Sequence, residues 1–268
     1  MAKPPRLYKY QPFSPRSIEN LKNQVVYFGS PRAFNDPFDC ALSPQLKVPT
    51  DDDLRKLRDH WLATKPFDES QRNALKAIPF DELRSNVTQT VRKTLRESVD
   101  KFSTTQGVTC FAERPNNLLM WSHYADHHRG FCLEFRTDVP DFGKLRQVTY
   151  SDQMPEIDPV RMLIDDEYEE FLSLFCTKAQ DWQYEREWRG WHKEAGTAYT
   201  YPAEALTGVY FGARASFTSF EIVALILAGQ NEEVGLWEGS RSEDSFSIVF
   251  EQKTYTSYLN AKRRGLIP

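Results

Sequence analysis

Gly130-Phe131-Cys132-Leu133-Glu134-Phe135-Arg136 decides the fold class. Phe131, Leu133 and Phe135 recur at every second position, with Cys132, Glu134 and Arg136 between them. Successive side chains of a strand point to opposite faces, so this stretch reads as a strand with one apolar face and one mixed face. Gly107 to Glu113 reads as a strand before it and Leu145 to Ser151 as one after it. Between the first two, Asn116 or Asn117 caps a short helix that runs through Ala125.

Towards the N-terminus, Leu7 to Tyr10 is a short strand, and Ser14-Pro15 places an N-cap and an N1 proline at the start of a helix ending near Asn23. Val25 to Gly29 is β-branched and aromatic, a strand that empties into a turn-rich loop from Ser30-Pro31 to Asn35-Asp36-Pro37. Residues 50–104 are helical. Thr50 and Asp53 form a capping box, Leu54, Leu57 and Trp61 follow at helical spacing, and a longer helix after Pro79 carries Leu83, Val87, Val91, Leu95 and Val99 on one stripe.

Towards the C-terminus, Asp158-Pro159 opens a long amphipathic helix with Tyr168, Phe171, Leu172 and Phe175 inward. Arg186 to His192, Thr197 to Tyr201, Gly208 to Gly212 and Ser245 to Tyr255 read as strands, and Thr218 with Glu221 caps a helix that Gly229 stops. Strands and helices alternate without a regular βαβ series. The class is therefore α+β: a mixed β-sheet core with a helical insertion over about 50–104, in a single domain, 1–268.

The 268 residues include 18 Phe, 12 Tyr and 6 Trp, enough to fill a large core. Lys and Arg number 34 against 38 Asp and Glu, a net charge of −4, which argues against a chain held on nucleic acid by bulk electrostatics. Four dispersed cysteines with no C-x-x-C pair, no export signal at the N-terminus and no apolar run longer than Ile222 to Gly229 point to a cytoplasmic protein with reduced thiols and no membrane partner.

Three segments carry the chemistry. In Tyr184-Glu185-Arg186-Glu187-Trp188-Arg189, strand alternation would put Glu185, Glu187 and Arg189 on one face. Two neighbouring carboxylates suit acid–base work or stabilisation of a developing positive charge, and they equally suit a surface strand of Glu–Arg pairs. In Met120-Trp121-Ser122-His123-Tyr124-Ala125-Asp126-His127-His128-Arg129-Gly130, His123 and His127 stand at i and i+4, the spacing of a zinc helix, without its general-base Glu or a third ligand. The same segment fits a ligand pocket with a ring to stack on and an imidazole to hydrogen-bond, or plain core. In Leu7-Tyr8-Lys9-Tyr10, Lys9 either snorkels to solvent or meets an anion. P-loop, G-x-G-x-x-G and G-x-S-x-G sequences are absent.

Leu7 to Tyr10, Pro31 to Asp39, Met120 to Gly130 and Tyr184 to Arg189, in that order, resemble a bacterial family defined by a domain of unknown function. Its motifs are L-Y-K-Y, P-x-x-F-N-D-P-F-D, M-W-x-H-Y-A-x-x-H-x-G and Y-E-x-E-W-R. The order of an L-Y-[HK]-Y strand, a central H-Y segment and an x-E-x-E strand also resembles the ADP-ribosyltransferase fold, most closely the branch found in toxins and phage defence. That resemblance implies NAD as substrate, a nucleic-acid or protein acceptor, and room for an antitoxin or regulatory partner. It implies Glu187 as the catalytic carboxylate and Glu185 as the group that orients or deprotonates the acceptor. Lys9, Tyr10, Trp121, His123, Tyr124 and Arg189 would then hold NAD. The alternatives are a non-catalytic ligand- or partner-binding module, and a metal-dependent hydrolase using His123, His127 and Asp126.

Overall fold

The computed structural model describes residues 3–40, 42–165, 168–231 and 233–265. In chain order, β1 (Arg6–Gln11), α1 (Pro15–Lys22), β2 (Val25–Phe28) and β3 (Gln45–Leu46) lead to the helices α2 (Asp51–Thr64), α3 (Glu69–Ala77) and α4 (Phe80–Thr105). Next come β4 (Gly107–Ala112), α5 (Leu118–Tyr124), β5 (Phe131–Arg136), β6 (Arg146–Gln147), β7 (Thr149–Ser151), β8 (Glu156–Ile157), α6 (Pro159–Ile164) and α7 (Tyr168–Leu174). The chain continues through β9 (Thr177–Ala179), β10 (Glu187–His192), β11 (Thr197–Thr200), β12 (Leu206–Phe211), α8 (Phe217–Ala228), β13 (Gly235–Arg241), β14 (Ile248–Lys253) and α9 (Tyr258–Arg263).

These elements divide into two compact units. The first takes Met1–Gly29, Gly107–Val148 and Asp181–Pro268, and the second takes Ser30–Gln106 and Thr149–Gln180. The helices of 50–104 fall in the second, together with the later stretch Thr149–Gln180.

The first unit is built on an eight-stranded mixed sheet of order β14-β13-β12-β5-β1-β4-β10-β6. Only the β12–β13 pairing in it is parallel; β2 and β11 form a separate antiparallel pair. The register divides the sheet into two faces, as the alternation around Phe131 requires. On one, Leu7, Phe135, Leu133, Phe131, Val209 and Phe211 join residues of α1 and α8 in the main core. Burial of each such side chain contributes roughly 1.5–3 kcal/mol. On the other, Tyr10, Cys132, Ala112 and Tyr210 pack with Met120 and Trp121 of α5. The second unit has its own cluster, in which Leu54 and Leu57 of α2 meet Leu83 and Val87 of α4 and Val160 of α6. Its buried ion pair joins Lys178 of β9 to Asp39 at 3.1 Å.

Local sequence signals set many of the boundaries. Ser14 caps α1 through Ser17 N, and Thr50 and Asp53 complete the reciprocal capping box of α2. The buried stripe of α4 runs Leu83, Val87, Val91, Leu95 and then Phe102, with Val99 only half-buried. Four expectations are corrected. The helix after Phe211 is capped by Ser216 rather than Thr218, because Ser216 Oγ accepts from Ser219 N. Leu145 to Ser151 forms two short strands that pair with different neighbours, β10 and β9. The strand after Ser245 is confined to Ile248–Lys253. The helix from Pro159 ends at Ile164 and a second begins at Tyr168; residues 166 and 167, and the side chain of Tyr168, lie outside the described residues. No helix among the described residues is long and apolar enough to cross a membrane.

Candidate functional site

The site lies on the α5 face of the first unit's sheet, where β10 begins. A 3-10 turn, Gln180–Glu185, precedes the strand, and Arg186 stands between them with φ of 46°. Left-handed backbone at a residue with a Cβ costs about 1–2 kcal/mol. The strand begins at Glu187, so alternation does not place Glu185, which belongs to the preceding turn. Its carboxylate meets α5, where Tyr124 donates its hydroxyl to Glu185 Oε1 at 2.6 Å.

Glu187 and Arg189 do share a face. Arg189 donates from Nε to Glu187 Oε1 at 2.6 Å and from Nη2 to Oε2 at 2.8 Å. Both are buried, Arg189 at 0% and Glu187 at 4% exposure. Such a two-point pair fixes the carboxylate in the ionised form and in one orientation. Cys110 stands opposite Arg189 on β4. Burial first, and then the Glu187 charge, push its thiol well above its ordinary pKa, so it remains protonated rather than a nucleophile.

Two residues outside the expected set hold the turn in place. Asn117 caps α5 by accepting from Leu119 and Met120 N, and its amide donates to Tyr184 O at 3.1 Å. Glu113 accepts from Trp188 Nε1 at 3.0 Å and faces Arg186 Nη1 at 3.9 Å. The sequence marks Asn117 as a cap, but not that its amide would clasp the turn. His123 is exposed at the end of α5, with the rings of Tyr124, Trp182 and Tyr184 at centroid distances of 6.2, 6.1 and 6.4 Å. The exposed imidazole thus has three aromatic neighbours, one of which, Tyr124, also contacts Glu185.

Trp121 and Tyr10 belong to the packing beneath. Trp121 is fully buried, meets Tyr10 edge-on at 5.1 Å and donates Nε1 to Pro115 O at 2.6 Å. Trp121 therefore presents no open ring face, contrary to the role in holding NAD that the resemblance implied.

Lys9 alternates onto the face opposite Glu187, since Tyr8 and Glu187 both stand opposite Ala112. β1 and β4 pair only at Tyr8↔Ala112. Beside that point the Lys9 ammonium donates to Thr109 Oγ1 at 2.8 Å and to Cys110 O at 3.1 Å, over the Phe111 ring. Burial lowers its pKa. Lys9 is neither snorkelled nor directly paired with an anion; protein oxygens solvate it.

α5 ends at Tyr124, and Asp126, His127 and His128 form a left-handed run with φ of 46°, 52° and 70°. His127 therefore leaves the helix face it was expected to share with His123. No group of three or more His, Cys, Asp or Glu side chains able to hold a metal occurs among the described residues. The run is pinned by His128 N donating to Trp121 O at 3.1 Å and by His128 O accepting from Arg214 N at 2.9 Å.

Another buried carboxylate on this sheet face carried no signal beyond alternation. Glu134, at 2% exposure, accepts from Tyr8 at 3.0 Å, Tyr210 at 2.8 Å and Thr207 at 2.6 Å, and pairs with Arg6. Its oxygens are filled by donors from the two strands β1 and β12, the arrangement of a structural anchor.

The family model of a protein of unknown function (DUF2971) matches residues 120–190. The match includes both Met120 to Gly130 and Tyr184 to Arg189, and it leaves Leu7 to Tyr10 and Pro31 to Asp39 outside. No curated protein and no solved structure matches the chain.

Proposed function

We propose that the Glu185–Glu187 site cleaves NAD and transfers its ADP-ribosyl group. The observation that carries this reading is the conjunction of a carboxylate paired with Arg189, Glu187, with a second carboxylate, Glu185, hydrogen-bonded to Tyr124 beside an exposed imidazole. The order of the sequence motifs, which resembles the ADP-ribosyltransferase fold, supports it as well.

In this mechanism nicotinamide stacks on Tyr124 within the aromatic surround of His123. The bond between ribose C1′ and the nicotinamide nitrogen breaks, and nicotinamide leaves neutral with the electron pair. Positive charge develops on the ribose as an oxocarbenium ion, and the Glu187 carboxylate stabilises it. Arg189 keeps Glu187 ionised, which suits electrostatic stabilisation and not proton donation. Glu185 orients the acceptor and takes its proton as the acceptor's nucleophile bonds to C1′. A nucleic-acid or protein acceptor, in the manner of a toxin or phage-defence effector, completes the reaction, and water in its place gives NAD hydrolysis.

A second reading, a non-catalytic ligand-binding module, is favoured by one observation: Glu187 is nearly closed off and already accepts from Arg189 at both oxygens. Purified protein incubated with NAD and with DNA, RNA or lysate separates the two. Nicotinamide release that Glu187→Gln abolishes supports transfer; NAD binding without release supports the module.

A further inference from the structure

After α5 the chain sets Asp126, His127 and His128 in left-handed backbone one after another, and none of them is glycine. Strained backbone of this kind persists only where its surroundings impose it, and it gathers at sites that bind or react. Here the surroundings are the segment leaving β12 and the body of α5. Gly212 N donates to Gly130 O at 3.0 Å and Arg214 N to His128 O at 2.9 Å, so residues 212–214 lie backbone to backbone against the run. On the α5 side, the Trp121 ring lies nearly parallel to the His128 imidazole, at 16° and 6.4 Å between centroids.

This crossing brings together three nitrogen-bearing side chains. His127 and Arg214 are exposed, and His128 is half-buried. Among the described residues none of the three side chains makes a hydrogen bond or an ion pair. The one carboxylate of the run, Asp126, is taken by Arg129 through contacts of 3.0 and 2.9 Å. Burial, then the charges of Arg214 and His127, lower the pKa of His128. A guanidinium and two imidazoles are thus held close by the backbone, with no carboxylate paired to them. An anion among them would replace that repulsion with attraction and favour the protonated form of His128.

We propose that His127, His128 and Arg214 bind a terminal phosphoryl group, either as free phosphate or as the end of a nucleotide. Such a group carries about two negative charges and three acceptor oxygens, enough for all three side chains, whereas a carboxylate has half that charge and one oxygen fewer. The phosphates of NAD are bridging ones, so the site does not rest on the activity proposed for Glu187.

NMR of the full chain tests the proposal. The imidazole resonances are followed at neutral pH and constant ionic strength as inorganic phosphate is added. A second arm uses adenosine monophosphate, with adenosine as its control. The expected result in at least one arm is a saturable movement of His127 and His128, with His60 and His192 unmoved and the pKa of His128 raised. Saturation by the nucleotide alone would assign the nucleotide as the source. Arg214→Ala, at an exposed position and with folding checked by thermal melts, should weaken binding by about tenfold or more, and Arg214→Lys by less. No saturable movement in either arm overturns the proposal, as does the same movement produced by chloride. Wild-type affinity in both folded Arg214→Ala and folded His127→Gln overturns it as well.

Discussion

Glu187 and Arg189, two positions apart on β10, meet as a buried two-point ion pair with contacts of 2.6 and 2.8 Å. Removing the cation alone strands a carboxylate that is 4% exposed. Arg189→Met is therefore expected to destabilise the protein by about 3–5 kcal/mol, measured by urea unfolding. A loss of less than about 1 kcal/mol would mean that the pair is solvated and weak.

Arg186 separates the two carboxylates at a left-handed φ of 46°. Glycine adopts that conformation without a Cβ penalty, offset in part by its unfolded-state entropy. Arg186→Gly should raise stability by about 0.5–1 kcal/mol and Arg186→Val should lower it. The opposite order in a denaturant titration would mean that the turn owes its shape to the arginine side chain.

The chain crosses itself tightly behind the left-handed run. A Cβ on Gly130 would lie 2.1 Å from Gln11 O, and one on Gly212 would lie 2.2 Å from His128 O. Backbone cannot yield as a flexible side chain can, so Gly130→Ala and Gly212→Ala should each cost about 3 kcal/mol. Thermal melts of the two single variants check this, and near-wild-type melting of both would show that the segment relaxes easily.

His128 gives stability a pH dependence. Burial, then Arg214 and His127, lower its pKa below the usual value of 6.5. The unfolded chain thus binds a proton before the folded protein does, and this stabilising contribution falls as pH drops through and below 6.5. Relative to His128→Gln, the wild-type protein should lose stability between neutral and mildly acidic pH; parallel curves would place the imidazole in solvent.

The sequence was most legible where a local rule decides the outcome. Alternation around Phe131 assigned the two sheet faces, and Ser14, Thr50 and Asn117 declared their helices through side-chain caps. Long-range order was less legible. β13 was missed because Gly235, Gly239 and polar residues dilute its pattern, and it is a strand because its backbone pairs with β12 and β14. At the site, Glu187 with Arg189 followed from alternation, whereas Glu185 did not, because a left-handed arginine breaks the period with no glycine to announce it. The contact between Tyr124 and Glu185 spans 61 positions and had no signal in spacing. Nor did the parting of β1 from β4 that draws in Lys9, since pairing between strands a hundred residues apart is invisible to local pattern.

The central claim is the chemistry at Glu187, and nicotinamide release tests it most directly. Wild-type protein is compared with Glu187→Gln and Tyr124→Phe, in the presence of DNA, RNA or lysate and with folding checked by thermal melts. The account predicts release by the wild-type protein, a loss of about 100-fold or more in folded Glu187→Gln, and a smaller loss in Tyr124→Phe. No release by the wild-type protein with any acceptor, or equal release by folded Glu187→Gln, would contradict it.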